Sequence, residues 1–311
     1  MTNTVQTQQG SLVLRTLTRA FQGLGFHTTQ PSKLKAKYES DNSQYVTIDG
    51  TTIHYTDEGQ GPILVLSHGV MASLHTWDGW VERLKSTYRI IRFDIPGFGL
   101  SDPNAATHFN PEYTEALLNG FVNELQLDEF YLVGNSLGGF ISWNYAASNP
   151  DRVKKLILID PIGYEQKLPF IMKLVSLPVF QTISRWVAPR FIVDSCVKKV
   201  YGQPQNILST VFDRYFDLLS HPGGRDAMVD VFLTFRYFNG RPEIVNKMKM
   251  IQVPTLIMWG RDDAWVPVEH VENWKRDVQA SQAIIYDNAG HIPMEEYPAI
   301  TARDADRFLS S

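Results

Sequence analysis

The stretch from Phe130 to Phe140, Phe-Tyr-Leu-Val-Gly-Asn-Ser-Leu-Gly-Gly-Phe, constrains this chain most. Its first four apolar residues predict a buried strand, and Gly134–Gly138 then fits the pattern Gly-x-Ser-x-Gly, in which a strand turns sharply into a helix. The apex of such a turn has strained backbone, and side chains two positions to either side would collide, so both positions need glycine. The pattern predicts that Ser136 stands over the sheet edge with its hydroxyl free.

Apolar runs alternate with helix-like segments from Gln44 onwards. Asp49-Gly50 predicts a hairpin turn between two short strands. The predicted strands are Gln44–Ile48, Thr51–Asp57, Ile63–Ser67, Arg89–Asp94, the run at Phe130, Lys155–Asp160, Thr255–Trp259 and Gln282–Tyr286. Continuous apolar strands alternating with helices predict an α/β fold with a mostly parallel sheet covered by helices on both faces.

About 90 residues separate the strand that ends at Asp160 from the strand that starts at Thr255, far more than a usual connection. Helix signals fill this segment, so we predict an inserted helical cap over residues 163–243. The α/β core then comprises residues 44–162 and 244–311. Six apolar residues of the cap are candidates for lining a cleft, although most such residues simply pack the cap on itself: Phe170, Met172, Leu174, Leu177, Phe180 and Trp186.

Residues 1–43 form an N-terminal arm, of which residues 1–38 carry five basic residues and no acidic one. Its apolar residues fall on one helical face: Leu12, Val13, Leu17, Ala20, Phe21 and Leu24. Arg15 interrupts the only apolar cluster, so a cleaved secretory signal is not expected. Three interpretations stay open: a helix packed on the main domain, which we favour, a basic amphipathic helix on an anionic membrane surface, and an organelle transit peptide.

Composition excludes several classes of function. The net charge of −4 gives no reason to expect a nucleic-acid partner, and the single cysteine, Cys196, rules out an internal disulfide. No run approaches the ~18 to 20 apolar residues of a membrane span. We therefore expect a cytoplasmic protein, with peripheral membrane contact through the N-terminal arm as an open possibility. The sequence indicates no oligomeric state.

A serine hydroxyl becomes a nucleophile only when a base takes its proton. His291 lies in the loop after the last predicted strand and should reach the sheet edge where Ser136 stands. His68 is at the same edge but opens an earlier turn, where we expect a structural role. The acid that orients the base has three candidates by position: Asp262, Asp263 and, at the end of another strand, Asp160.

An oxyanion formed during acyl transfer needs two N–H donors that are already in place. Leu137 N–H is the first, because it opens the helix after the turn and lacks an intrahelical partner. The second is expected from the loop after Ile63–Ser67, with Val70 as our choice and Met71 as the alternate. Residues that flank these loops are candidates for the wall of a substrate pocket: Met71, Trp77, Trp265, Ile292 and Met294.

Taken together, five motifs resemble the α/β-hydrolase superfamily from Gln44 to the C-terminus: Gly134–Gly138, His68-Gly69, Asp94–Asp102, Gly260–Pro267 and Gly290-His291. The order serine, aspartate, histidine is the order of that fold. The resemblance implies that Asp263, three residues after Gly260, is the acid.

Within the superfamily, residues 68–80 are similar to bacterial lipases and esterases. Capped epoxide hydrolases and haloalkane dehalogenases share most of the other motifs but need an aspartate where Ser136 stands, which argues against both activities. We therefore expect a serine carboxylic ester hydrolase, carboxylesterase- or lipase-like, for small to medium hydrophobic esters. No metal or organic cofactor is implied, because no tight cluster with metal-ligand spacing is evident.

Other functions stay open. A carbon–carbon bond hydrolase of aromatic-ring meta-cleavage products is the main alternative, since its family also favours an asparagine at the position of Asn135. Val70-Met71-Ala72 after His68-Gly69, and Ile292 after His291, depart from that family's pattern. A cofactor-free peroxidase and a non-catalytic binding protein that kept the fold are the remaining alternatives.

Overall fold

The fold is described from a computed structural model, covering residues 25–26, 28–103 and 109–311. An eight-stranded sheet with the order β1-β2-β4-β3-β5-β6-β7-β8 lies at its centre. In chain order, the strands are Ser43–Ile48 (β1), Thr51–Glu58 (β2), Ile63–Ser67 (β3), Arg89–Phe93 (β4), Phe130–Asn135 (β5), Val153–Ile159 (β6), Thr255–Gly260 (β7) and Ser281–Tyr286 (β8).

The sheet is mostly parallel. Strand β2 pairs antiparallel with β1 and with β4, and the remaining neighbours from β4 to β8 are parallel. All six residues of β7 are buried, as are four of five in β3 and in β4. Burial on both faces of a strand requires helices on both sides of the sheet. The predicted α/β architecture is confirmed, and each predicted strand agrees with the observed one to within two residues.

Helices cover the sheet. In chain order, they are Pro31–Tyr38 (α1), Asp78–Leu84 (α2), Pro111–Glu124 (α3), Leu137–Ser148 (α4), Phe170–Val175 (α5), Pro178–Trp186 (α6), Arg190–Val200 (α7), Ser209–Leu219 (α8), Gly224–Phe238 (α9), Pro242–Met248 (α10), His270–Asp277 (α11), Pro293–Glu296 (α12) and Pro298–Ser310 (α13). Helix α3 shows why such a segment starts where it does: Asn110 accepts the N–H of Tyr113 through its side chain, and proline follows at the first helical position.

Residues 160–254, here called the insertion, connect β6 to β7 and contain helices α5 to α10. Helix α10 returns the chain to the sheet and packs against α4. The insertion stands over the carboxyl ends of the parallel strands, because its residues line a cavity together with Ser136. The boundaries of the predicted cap, residues 163–243, stay a prediction.

The N-terminal arm is described only from Gly25 onwards, apart from residue 27. Its apolar residues from Leu12 to Leu24 lie outside the described residues, so the three interpretations of the arm stay open. In α1, Leu34 is buried against Leu100 and Leu218. Within the described part of the chain, no helix has both the length and the apolar character needed to cross a bilayer.

Candidate active site

Ser136 occupies a strained turn between β5 and α4. Its backbone angles are φ 55° and ψ −112°, a combination that costs a non-glycine residue free energy and that persists only where the surroundings impose it. Its N–H donates to the carbonyl of Ile159 at 3.0 Å, which fixes the turn to the end of β6. The side chain lines a cavity beneath the insertion.

The two glycines of the turn are required by close backbone contacts. A Cβ atom at Gly134 would lie 2.1 Å from the carbonyl oxygen of Gly138, and one at Gly138 would lie 2.2 Å from that of Ser67. Real Cβ atoms do not approach backbone oxygens this closely. The expectation that side chains at these positions would collide is therefore confirmed.

His291 and Asp263 meet at the same edge of the sheet. Nδ1 of His291 lies 2.7 Å from Oδ2 of Asp263. The other oxygen of Asp263 accepts the N–H groups of Trp265 and Val266 at 2.7 and 3.0 Å. These bonds fix a buried carboxylate in front of the imidazole. Asp262, by contrast, is exposed.

Asp160 is buried beside Asp263. Its Oδ1 accepts the N–H of Gly260 at 3.0 Å, and its Oδ2 has no hydrogen-bond partner among the described residues. Burial, together with the nearby charge of Asp263, raises the pKa of Asp160 well above its ordinary value and favours the protonated acid. The hydrogen bond of His291 Nδ1 is made to Asp263 and not to Asp160.

Ligand-type atoms of Asp160, Asp263 and His291 lie within 4.8 Å of one another. The sequence indicated these three residues as a base and two candidates for its acid, but not as a cluster with metal-ligand spacing. Both oxygens of Asp263 already accept hydrogen bonds from within the protein. This weighs against a metal ion between the three side chains, since carboxylate oxygens would have to exchange these bonds for the ion.

The two residues expected to donate N–H groups to an oxyanion, Leu137 and Val70, both lie near Ser136. Leu137 begins α4, so its N–H has no intrahelical acceptor. Val70 lies in the turn after β3 and lines the cavity, and Met71 follows it with a positive φ of 61°, unusual for a methionine. A Cβ at Gly69 would lie 3.2 Å from Cβ of Ser136, so this turn passes close to the serine.

His68 holds that turn in place. It is fully buried, its Nδ1–H donates to the carbonyl of Gly69 at 2.7 Å, and its Nε2 accepts the N–H of Ile95 at 3.0 Å. Burial lowers its pKa, which keeps the imidazole neutral. These contacts agree with the expected structural role.

Asp94 joins the loops after β3 and β4. Its carboxylate accepts Nδ1–H of His54 at 2.7 Å and the N–H groups of Leu74 and Leu100 at 2.7 and 2.8 Å. Burial opposes its charge, but the His54 hydrogen bond and neighbouring histidines outweigh burial and lower its pKa to about 2. A Cβ at Gly99 would overlap this carboxylate, with 2.0 Å to its Cγ, which explains the glycine. The motif from Asp94 to Asp102 is thus a structural support for the site.

Two further residues position the loop of His291. Buried Asn135 donates its amide to the carbonyls of His291 and Ile159 at 2.9 and 3.1 Å. Glu296 accepts the N–H groups of Gly290 and Gly202 at 2.6 and 2.9 Å, and burial raises its pKa to about 7. In the sequence, Asn135 was singled out only because meta-cleavage product hydrolases favour asparagine at this position, and its hydrogen bond to His291 was not predicted. Glu296 was missed, because a carboxylate that accepts backbone N–H groups leaves no sequence signature.

The cavity beside Ser136 is mainly apolar. Ser136, His291 and Asn135 lie on its wall together with Gln166, Asn239 and two tyrosines. Apolar residues form most of the remaining lining: Val70, Met71, Ala72, Phe140, Ile162, Leu168, Met172, Val197, Val200, Phe235, Phe238, Ile244, Trp265, Val266 and Ile292. Among the described lining residues there is no lysine or arginine.

Several residues predicted to wall the pocket lie elsewhere. Met71, Trp265 and Ile292 line the cavity, but Trp77 and Met294 do not; both are fully buried in a separate core cluster, where Trp77 packs edge-on against Trp80. Of the six residues expected in a cleft of the cap, only Met172 is among the described lining residues. Phe170, Leu177, Phe180 and Trp186 are exposed on the outside of the insertion, and Leu174 is partly buried.

Known proteins share this fold and align with most of this chain. A family profile described as alpha/beta hydrolase fold matches residues 62–198. The uncharacterized hydrolase YugF of Bacillus subtilis is 27% identical over 271 residues, which cover 85% of this chain and 96% of the relative. A 2-hydroxy-6-oxononadienedioate/2-hydroxy-6-oxononatrienedioate hydrolase of Burkholderia vietnamiensis is 30% identical over 244 residues, 74% of this chain and 83% of the relative.

Among solved structures, a thermophilic esterase from Thermogutta terrifontis superimposes with a TM-score of 0.73 and 25% identity, covering 86% of this chain and 98% of that one. The sheet order, the strained serine turn and these relatives agree with one another. The chain belongs to the α/β-hydrolase family and is a hydrolase of that fold.

Proposed function

We propose that this protein is a serine carboxylic ester hydrolase that acts on small to medium hydrophobic esters through an acyl-enzyme. One observation carries the proposal: Ser136 and His291 lie on the wall of the same apolar cavity, with Asp263 bonded to the histidine. An apolar cavity accepts an acyl or alkyl chain, and the polar groups at its wall bind the carbonyl.

In the proposed reaction, Ser136 Oγ attacks the ester carbonyl while Nε2 of His291 takes its proton. Asp263 keeps the proton of the imidazole on Nδ1 and stabilises the imidazolium that forms. The tetrahedral intermediate collapses, and His291 returns the proton to the departing alcohol. Water then attacks the acyl-enzyme with His291 as base, which releases the acid and restores Ser136.

The negative oxygen of each tetrahedral intermediate is assigned to the N–H groups of Val70 and Leu137. The proximity of the Gly69 turn to Ser136 supports this assignment, because both donors then flank the serine. Such preorganised donors stabilise the transition state by about 3–4 kcal/mol each.

A carbon–carbon bond hydrolase of meta-cleavage products is the second candidate. It is favoured by the Burkholderia vietnamiensis relative and by the position of Asn135. That relative's substrates, by its name, are dicarboxylates. The absence of lysine and arginine from the described lining of the cavity disfavours such an anionic substrate and favours a neutral ester.

A panel of p-nitrophenyl esters of graded acyl length tests the proposal. We expect the wild type to hydrolyse short and medium esters, Ser136→Ala to lose about 10⁴-fold or more in kcat, and a fluorophosphonate probe to label Ser136. Ser148→Ala, at the other end of α4, is the matched control and should stay active. Failure of the wild type both to cleave esters and to react with the probe would refute it. Rapid turnover of a ring-opened dienol with poor ester cleavage would instead establish the second candidate.

A further inference from the structure

Helix α6 of the insertion turns its apolar side away from the protein. Val179, Phe180, Ile183 and Trp186 are between 41% and 71% exposed, and their spacing places them on one face of the helix. No residue of α6 is buried in the described structure. A surface helix normally buries such a stripe against the core, but within the described part of the chain nothing covers the apolar stripe of α6.

The charged side of α6 faces the protein instead. Arg185, on the opposite side of the helix, binds Asp226 and Asp230 of α9 at 3.0 and 2.6 Å. These two ion pairs fix the rotation of α6 about its axis. The apolar stripe is therefore held outward by the rest of the insertion.

Exposed aromatic residues also lie on the helices before and after α6 in the chain. Phe170 in α5 and Phe191 in α7 are 76% and 71% exposed. The same two helices line the cavity beside Ser136 through Met172 and Val197. Helices α5 and α7 thus each carry an exposed aromatic residue as well as a residue of the cavity wall, and α6 connects them along the chain. We call Val179, Phe180, Ile183 and Trp186 the α6 face.

The N-terminal segment joins the molecule at the end of the α6 face. The carbonyl of Gly25 accepts the N–H of Ala188 at 3.2 Å, two residues after α6 ends, and Phe26 beside it is exposed. Gly25, to which residues 1–24 are joined in the chain, is therefore held next to the end of α6. Residues 1–24 include Arg15 and Arg19 and no acidic residue.

Basic residues also lie in the described part of α5 and just before it. Lys167 and Lys173 flank Phe170 and are exposed. Aromatic and aliphatic side chains next to basic residues are the combination by which proteins bind the interface of an anionic bilayer. Stable attachment to a bilayer usually needs two membrane-binding features. The exposed apolar residues of α6 would be one such feature and the basic N-terminal segment the other.

We propose that the α6 face docks on an anionic phospholipid bilayer, with the basic N-terminal segment as the second contact. The proposal goes beyond ester hydrolysis and does not depend on it. Where ester hydrolysis also holds, the bilayer becomes the source of lipid-like esters for the adjoining cavity. Two other occupants compete for the α6 face: the apolar residues of the N-terminal segment itself, and a second copy of this chain.

Vesicle flotation tests the docking with the full-length protein. We compare vesicles of phosphatidylethanolamine with phosphatidylglycerol against vesicles of phosphatidylcholine. The wild type should float with the anionic vesicles, and Ile183→Ser/Trp186→Ser should lower its partition coefficient about tenfold or more. Met250→Ser/Ile300→Ser removes two exposed apolar residues elsewhere and should leave binding unchanged. Arg15→Gln/Arg19→Gln and about 0.5 M salt should each weaken binding to anionic vesicles only.

Three results would overturn the proposal. If the wild type does not bind vesicles, or if the α6 variant binds them as well as the wild type, the α6 face does not dock on lipid. A dimer in sedimentation that the α6 variant dissociates assigns the face to a second copy. A monomeric, unbound wild type whose melting temperature falls in the α6 variant assigns it to the N-terminal segment. Cleavage of a short ester, measured for each variant, separates failed docking from failed catalysis.

Discussion

Nδ1 of His291 lies 2.7 Å from Oδ2 of Asp263, although the two residues are 28 positions apart in the chain. They follow β7 and β8, which are parallel neighbours, so their carboxyl ends meet at one edge of the sheet. The two loops pack so closely that a Cβ at Gly260 would lie 1.8 Å from the carbonyl oxygen of Gly290. The parallel pairing of β7 and β8 therefore brings Asp263 and His291 together, and glycine at position 260 leaves room for the loop of Gly290.

Asp263→Asn should lower kcat by about 10³–10⁴-fold, because an amide at this position no longer holds the productive tautomer of His291. The side chain keeps its size, so we expect a small change in melting temperature. Ester hydrolysis and thermal unfolding of the variant measure both. Asp262→Asn, at the exposed neighbour, is the control and should match the wild type. Equal activity of the two variants would show that Asp263 does not orient the base.

Gly138→Ala should prevent folding or destabilise the protein by several kcal/mol, roughly the range of severe single substitutions. The added methyl group would meet two carbonyl oxygens, of Ser67 at 2.2 Å and of His68 at 2.6 Å, and backbone cannot move aside as a flexible side chain does. Urea unfolding measures the loss.

Gly50→Ala is the matched control, because Gly50 has a positive φ of 81° and no atom within 4 Å of the added Cβ. It should cost only the backbone strain, about 1–2 kcal/mol. A loss for Gly138→Ala no larger than this would contradict the steric argument.

The sheet and the serine turn were predictable from sequence because their signals are local. Apolar runs mark the buried strands, and a Cβ at Gly134 would meet the carbonyl of Gly138, only four residues later. The requirement for glycine at position 138 comes from Ser67 and His68 of a distant segment, and here only the motif indicated it. The order of Ser136, Asp263 and His291 along the chain followed from the motifs. The edge at which they meet followed from parallel topology.

The presence of a helical insertion was predictable, but the side that each of its helices turns inward was not. Phe180 and Trp186 of α6 were candidates for lining a cleft or for packing the cap on itself, but both are exposed. Which side faces inward is decided by Asp226 and Asp230 of α9, some forty residues later, which bind Arg185. Trp77 was misplaced for a similar reason, because it lies in a buried cluster that includes Phe308 and Leu309 of α13, more than two hundred residues later. Contacts between distant residues decide these orientations.

Asp160→Asn should keep most of the activity and folding stability. Burial and the charge of Asp263 already favour the protonated acid at this position, and an amide has the same shape and can still accept the N–H of Gly260. Asp160→Ala should lower the free energy of unfolding by about 1–3 kcal/mol, because it leaves that buried N–H unpaired.

The pH dependence distinguishes this account from one in which Asp160 is charged. A carboxyl whose pKa is raised by folding stabilises the protein when protonated, and this contribution is lost as the pH rises through its raised pKa. We expect Asp160→Asn to lose less stability than the wild type when the pH is raised, as measured by urea unfolding. A variant whose stability falls more steeply with pH than that of the wild type would show that the native carboxylate is ionised.

Glu296→Gln should flatten the dependence of folding stability on pH between about 5 and 8. Burial raises the pKa of Glu296 to about 7, above its ordinary 4.5, so the folded protein binds a proton that the unfolded chain releases. Its contribution is complete below the ordinary pKa and is lost as the pH rises through about 7, since the charged carboxylate is poorly hydrated where it lies between Gly290 and Gly202.

Melting temperatures of the wild type, Glu296→Gln and Glu272→Gln at four pH values measure this effect, and Glu272 is the exposed control. The wild type and the control should lose roughly 2–4 °C or more across the range, and Glu296→Gln less. A residual slope is expected from Asp160, which keeps its raised pKa in this variant. Parallel curves for all three proteins would mean that Glu296 is ionised throughout and that its hydrogen bonds from Gly290 and Gly202 outweigh its burial.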